Sequence, residues 1–368
     1  MLSPNCSHPI NKMNRPRIGI VSPPLGAPWT NGSKVLARDI ATGLAAQGRA
    51  VTVLATRAAS LDPSVHTLTT GNQRIAWLSQ AVWMKADIVH GIFAPTSVNK
   101  AALRAVTRGR ASVQTIASLP DAEVSLGDVV YADRVVVLSR AAERRALAEG
   151  IAKTRLVRIR PTVRAPQTPS KERIEAETKR IRMPTSGLRV AFVGDLEHGD
   201  GARLMVDACA ANSLRSEVML VMATRTKTSA AEARRAAIQA RATARGVRLC
   251  WAGTSPDIHA LLAACDVVAL PTNTLFAKVD HPLILLEAMH LGVPVVVTRG
   301  TSAYELAEEG GALGVENDAA SVGLQLEALI DPAARLVQAT RALAFAQSEL
   351  STDAMARAYG AVYDALLR

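Results

Sequence analysis

The sequence predicts an α/β protein made of two doubly wound domains, and three observations carry that prediction. Short β-branched runs alternate with longer helical stretches along almost the whole chain. The alternation breaks once, at residues 165–187 (APQTPSKERIEAETKRIRMPTSG), where prolines and mixed charges sustain no apolar face. At 368 residues the chain is long for one core and suits two.

In the first domain, residues 17–164, the expected strands are RIGIVS (17–22), AVTVLAT (50–56), DIVHGI (87–92), SVQTIA (112–117), RVVVLS (134–139) and LVRIRP (156–161). Helices fit between them, as in 34–48 and 139–150, each with a polar residue to cap its start and a glycine to end it. Apolar strands separated by helices argue a parallel sheet covered on both faces. Residues 165–187 read as the linker. The second domain, 188–349, restarts with LRVAFVGD (188–195), EVMLVMAT (217–224), VRLCWAG (247–253), DVVALP (266–271) and VPVVVT (293–298). A last helix, Ala354 to Leu367 within residues 350–368, is expected to cross back to the first domain. Sheets of this kind bind ligands beyond the carboxyl ends of their strands, so two of them facing each other make a cleft.

Composition narrows the partners. Hydrophobic residues are 49% of the chain, which is globular and not disordered. No uninterrupted apolar run approaches the ~20 residues that span a bilayer. Residues 1–16 read as a disordered tail and not a signal peptide. The four cysteines show neither metal spacing nor a disulfide framework, as expected of reduced thiols in a cytoplasmic protein. Residues 1–187 hold 27 Lys/Arg against 12 Asp/Glu, whereas residues 188–368 hold 16 against 20. The first half therefore seeks an anionic partner. Nucleic acid is disfavoured, because aromatics are only 3% of residues and no nucleic-acid motif is present. An anionic membrane surface, at the inner face, or a phosphorylated substrate fits better. A dinucleotide oxidoreductase is disfavoured too. The first βα turn, SPPLGAPWTNGSK, and the second domain's GDLEHGDG (194–201) both lack the G-x-G-x-x-G fingerprint.

Several segments carry a family resemblance: SPPLGAPWTNGSKVLARDIATGLAAQGRAVTVLAT, ADIVHG (86–91), YADRVVVLSRAAERRALAEGI (131–151), FVGDLEHGDGARLMVDA (192–208), CDVVALPT (265–272) and, most specifically, LLEAMHLGVPVVVT (285–298). Together the chain resembles the retaining glycosyltransferases of family 4. The resemblance implies the GT-B fold, two Rossmann-like domains facing across a cleft. It also implies transfer of a sugar from a nucleotide-sugar donor to an acceptor hydroxyl without a metal or other cofactor. The donor is a co-substrate; the acceptor would be lipid-linked or phosphorylated.

Physical reasons accompany that implied donor site. Pro282 suits the first position of a helix, where its missing N–H would be unpaired anyway. The amides of Leu283 and Ile284 would then point from the helix start and favour an anion such as a diphosphate. One turn further in, Glu287 matches the glutamate that in the family accepts hydrogen bonds from the donor ribose. Gly32, in the glycine-containing loop before the first helix, is placed on the donor as well.

Several positions depart from the family pattern. A second glutamate, eight residues before Glu287, is replaced by Val279, and the neighbouring Asp280 is the expected substitute on the sugar and catalytic side. Lys278 would lend a cation to the diphosphate. The family's phosphate-binding Arg and Lys fall where this chain has Asp195 and Asp200. A histidine expected after the fourth strand falls at Ala117, with His90, as a catalytic candidate, and His281, at the donor, to compensate. These departures keep a second class open, a non-catalytic GT-B descendant that binds a nucleotide, sugar or protein partner. GT-B epimerases share the fold, but the LLEAM–G–PVVVT arrangement favours a transferase.

Overall fold

The runs of Val, Ile, Leu and Ala predicted as strands form two parallel sheets, buried on both faces at their centres and only partly buried at β7 and β10. The computed structural model describes residues 15–368 except 59, 60, 72, 73, 185 and 227. Apart from its last two residues, the expected tail at 1–16 lies outside them.

The first sheet contains β1 (Ile18–Leu25), β2 (Val51–Ala55), β3 (His66–Thr69), β4 (Ile88–Ile92), β5 (Ala111–Ile116), β6 (Arg134–Val137) and β7 (Leu156–Arg158), in the order β3-β2-β1-β4-β5-β6-β7. Each neighbouring pair is parallel, with Ile18 in register with Val51 on one side and Ile88 on the other. The second sheet contains β8 (Leu188–Phe192), β9 (Val218–Met222), β10 (Leu249–Trp251), β11 (Val267–Leu270), β12 (Val295–Thr298) and β13 (Leu313–Val315), in the order β10-β9-β8-β11-β12-β13, again parallel. Every residue of β4, β9, β11 and β12 is buried. Strands covered on both faces need no polar alternation.

In the first domain, α1 (Gly32–Ala46), α2 (Arg74–Trp83), α3 (Ser97–Thr107), α4 (Leu126–Val129) and α5 (Arg140–Ala148) connect the strands. Asn31 caps α1, its side chain accepting from the N–H groups of Ser33 and Lys34. Ser139 caps α5 and accepts from Ala142 N–H. The segment expected to be linker contains a helix, α6 (Lys171–Arg180). Its charges explain why no apolar pattern announced it. Ser170 caps it, Arg180 pairs with the buried Glu177, and Arg173 holds Asp257 at 2.8 Å. It thereby belongs with the second domain. There, α7 (Gly201–Cys209), α8 (Ser229–Ala244), α9 (Ile258–Ala263), α10 (Leu283–His290), α11 (Glu305–Glu308), α12 (Ala319–Ala328) and α13 (Pro332–Glu349) follow.

The final helix, α14 (Thr352–Leu366), packs on α1 of the first domain. Tyr359 and Tyr363 are fully buried there, and Arg49 grips Asp364 through two bonds of 2.7 and 2.8 Å. No helix among the described residues is long and apolar enough to cross a membrane.

Candidate functional site

Parallel strands place every strand's carboxyl end at one edge of its sheet, and the segments that follow those ends line an interdomain cavity of about 740 Å³. From the first domain it receives Leu119–Ala122, after β5, with Ala141 and Arg144 of α5. From the second it receives Glu197–Gly199, after β8, Asn273–Phe276 and Asp280, after β11, and Arg299–Ser302, Tyr304 and Glu305, after β12.

Helix α10 starts next to this cavity. Pro282 is its cap residue (φ −59°, ψ 117°) and sits one position outside the helix, not at the first helical position expected. No side chain caps the start, and the first turn contains no acid. The leading amides, of Leu283 and Ile284, thus face no internal carboxylate from their own helix. One turn further on, Glu287 is 18% exposed, with its Oε1 3.7 Å from Nε2 of His259. Burial pushes the Asp39 carboxyl of α1 up from its ordinary value, and the Glu287 charge adds to that push. Gly292, at φ +68°, ends α10 where an L side chain would be strained.

Just before α10, the loop at 278–281 presses on the first domain. A Cβ added to Gly32 would lie 2.8 Å from Cγ2 of Val279, so only glycine admits this approach. The position where the family has a glutamate is therefore an apolar contact. Asp280 N–H donates to the carbonyl of Ala117 (2.9 Å). The buried Asp280 carboxyl accepts from Ser139 Oγ, the α5 cap, and from Ser302 Oγ (2.7 Å). Burial raises its pKa, and the two serine hydroxyls partly oppose the rise. Asp280 reaches the cavity but is first of all a tie between the domains. Lys278 lies 2.9 Å from Asp195, so one of the two unexpected acids holds this cation. The other, Asp200, accepts from Asn273 N–H at 3.3 Å. Ala277 occupies the left-handed region at φ +60°, a strained conformation directly before Lys278.

Glu305 is the residue that sequence reasoning missed. From the start of α11 it crosses to the start of α5, where it accepts from the N–H groups of Arg140 (2.9 Å) and Ala141 (2.8 Å). Burial pushes its carboxyl up, but His281 and these two amides outweigh that and hold it at about 2. His281 is buried, with its Nε2 3.7 Å from Glu305, an ion-pair distance and not a hydrogen bond. Arg140 adds a 2.7 Å bridge to Glu308, and Arg160 a 2.6 Å bridge to Glu309. The signal available in the sequence was position: Glu305 follows closely on the carboxyl end of a strand.

His90 is a correction. It lies inside the first domain at zero exposure, with Nδ1 2.8 Å from Tyr363 Oη and Nε2 2.7 Å from Thr115 Oγ1. Burial lowers its pKa to about 3, so it is neutral at working pH. Both ring nitrogens are engaged, and His90 is not among the residues that line the cavity. It joins α14 to the sheet and cannot take part in chemistry in the cleft.

Gly32, Lys278, Asp280, His281 and the α10 start are thus gathered at the domain boundary, with Glu287 behind them, but of these only Asp280 lines the open cavity. Among the described residues no group of three or more His, Cys, Asp or Glu is arranged to hold a metal ion.

Residues 187–336 match the family model of the glycosyl transferases group 1. No curated protein matches the sequence. Solved structures match over nearly the whole chain. HepE of Anabaena, in complex with UDP and glucose, aligns at a TM-score of 0.76 and 16% identity, over 95% of this chain and 100% of that one. Sucrose-phosphate synthase from Thermosynechococcus elongatus aligns at 0.73 and 17%, over 96% and 99%. WaaG, a glycosyltransferase involved in lipopolysaccharide biosynthesis, aligns at 0.68 and 15%, over 94% and 99%.

Proposed function

Proceeding from a GT-B fold whose residues 187–336 match the model of the glycosyl transferases group 1, we propose that the protein transfers a sugar from a nucleotide-sugar to an acceptor hydroxyl, with retention and without a metal. The observation that carries this reading is the start of α10: uncapped, free of acid, and followed one turn later by a partly buried carboxylate, Glu287. Leu283 and Ile284 amides take the diphosphate, Glu287 takes the ribose hydroxyls, and Lys278 supplies a cation beside them. His281 and Pro282 shape the turn that presents the amides.

Asp280 is the carboxyl nearest the sugar. Each of its oxygens keeps a lone-pair direction beyond the serine bond it accepts. It can thus accept from a sugar hydroxyl or steady positive charge at the anomeric carbon. The acceptor oxygen bonds to that carbon on the face the leaving group departs. The carbon–phosphate-oxygen bond breaks, and the acceptor proton passes to the departing diphosphate. The protein's part is positioning and electrostatic stabilisation. Entry of the donor separates Gly32 from Val279, so the domains open and close in each cycle.

HepE was solved with UDP-glucose, which makes UDP and UDP-glucose the first ligands to test. The acceptor is lipid-linked or phosphorylated, and the basic first half gives peripheral contact with an anionic membrane, at its cytoplasmic face. A thermal-shift panel of nucleoside diphosphates and nucleotide-sugars, followed by transfer of labelled sugar, tests the reading. Ligand binding raises apparent stability by mass action. A second reading, a binding protein without transfer, is favoured by Asp195 and Asp200 standing where the family has cations, and by Val279 packed on Gly32. Stabilisation by a nucleotide-sugar with no hydrolysis or transfer would select it.

A further inference from the structure

We propose that the protein docks on an anionic lipid surface through the end of the first domain opposite the cleft, with Trp83 as the inserted side chain. This deepens the peripheral contact proposed above; it does not depend on donor chemistry.

The placement follows from topology. Helices α2 and α3 return from the carboxyl edge of the sheet, so their last turns lie where β4 and β5 begin. There Trp83 is 81% exposed and Val82 43%. The same helix contains a second tryptophan, Trp77, which is buried and donates its Nε1–H to Ser22 O at 3.0 Å. One indole of α2 is thus built into the core and the other is left in water. The end of α2 is held in place, because Arg110 donates to the carbonyls of Met84 (2.8 Å) and Val82 (3.4 Å). Trp83 is therefore presented from an anchored backbone.

The charge around it is mainly positive; Asp133, just before β6, is taken up by the N–H and Oγ of Ser112. Residues 74–119 contain Arg74, Lys85, Lys100, Arg104, Arg108 and Arg110 but a single acid, Asp87. Arg17 engages both oxygens of that acid, at 3.1 and 2.7 Å. Lys85, Arg104 and Arg108 are exposed at the same end as Trp83. An indole ringed by cations matches an anionic bilayer, where the ring sits at headgroup depth and the cations meet phosphates. Nucleic acid fits less well, since a single exposed ring offers no run of stacking platforms.

Orientation is the consequence. The cavity lies at the carboxyl ends of the strands and Trp83 at their amino ends, so about 20 Å of sheet separates them. Docking in this way leaves the cleft facing water, which selects a phosphorylated acceptor arriving from the aqueous side over a lipid-linked one.

The test is co-sedimentation of the full chain with phosphatidylcholine vesicles, with and without phosphatidylglycerol, at low and high salt, alongside its tryptophan emission. Binding only to phosphatidylglycerol vesicles is expected, weakened by salt and accompanied by a blue shift. Trp83→Ala should abolish the shift and lower the partition constant about tenfold, and the triple variant Lys85→Glu/Arg104→Glu/Arg108→Glu should lower it at least as much. Melting temperature and UDP affinity, measured on the same variants, should stay at wild-type values, which separates failure here from failure of the donor site. Equal binding to neutral vesicles, unchanged binding by Trp83→Ala, or binding to polyglutamate as tight as to phosphatidylglycerol would each overturn the proposal.

Discussion

Two helices begin at the boundary between the domains, and they begin differently. The start of α5 is filled: Ser139 caps it, and Glu305 of the other domain occupies the amides of Arg140 and Ala141. The start of α10 has no side-chain cap and no acid in its first turn. Both offer the same partial positive charge. In the first the protein satisfies it with its own carboxylate and gains a tie between domains. In the second no side chain takes that place, and it is there that we propose the donor diphosphate. The difference teaches that an anion site is recognised less by a helix start than by what the rest of the fold fails to place there.

The largest effect expected is in neither helix start, which makes it a control on the comparison. His90→Ala removes the partner of two buried hydroxyls and leaves a void, at a cost of about 3 kcal/mol in stability. Nucleotide affinity of the folded protein should be unchanged. A selective loss of turnover at normal stability would return His90 to the site. Its titration has a definite sign. The fold keeps His90 neutral down to about 3, whereas the unfolded chain protonates near 6.5. Its contribution is present above that pH and falls as pH drops from 6.5 toward 3.

Next comes the filled start. Glu305→Gln removes the charge facing the α5 amides and should cost about 1–3 kcal/mol of interdomain stability. Small-angle scattering should show a more open average shape. The Glu305 pKa is depressed to about 2 from an ordinary 4.5, so its contribution is present above 4.5 and lost as pH falls through 2. Asp280, whose pKa is raised, changes in the opposite sense, its burden relieved by protonation. Unfolding curves of wild type and Glu305→Gln should therefore differ at pH 6 and converge in acid. Parallel curves at all pH values would mean that Glu305 does not hold the domains together.

Much of this architecture was legible because buried parallel strands announce themselves as continuous apolar runs. The strands that escaped, β3 (HTLT) and β13 (LGV), are sheet edges, short and only partly buried. Helix α6 escaped because its stability comes from a cap and ion pairs instead of an apolar face. Helix α10 itself was readable because its proline, glutamate and glycine are neighbours in sequence, although Pro282 is its cap and not its first residue. Glu305 was not, because its partner Arg140 N–H is 165 residues away and belongs to another domain. His90 misled for the same reason: the group that buries it, Tyr363, lies 273 residues further on.

The smallest effect concerns the loop before α10. Ala277→Gly relieves a left-handed alanine and should stabilise the protein by up to about 1 kcal/mol, offset by greater freedom of the unfolded chain. If the strained residue serves to aim Lys278, diphosphate affinity should fall although stability rises. Affinity and stability rising together would remove that role.

The uncapped helix start and its glutamate are the centre of the proposed donor site. The direct test is calorimetric titration of wild type and Glu287→Gln with the tightest-binding nucleoside diphosphate of a panel led by UDP, and with the corresponding nucleoside. Wild type should bind the diphosphate. Glu287→Gln should lose about 1–3 kcal/mol of affinity for both ligands, because both carry the ribose whose hydroxyls the carboxylate accepts. Equal affinities in the two proteins, within error, would contradict the assignment of α10 and Glu287 to the donor.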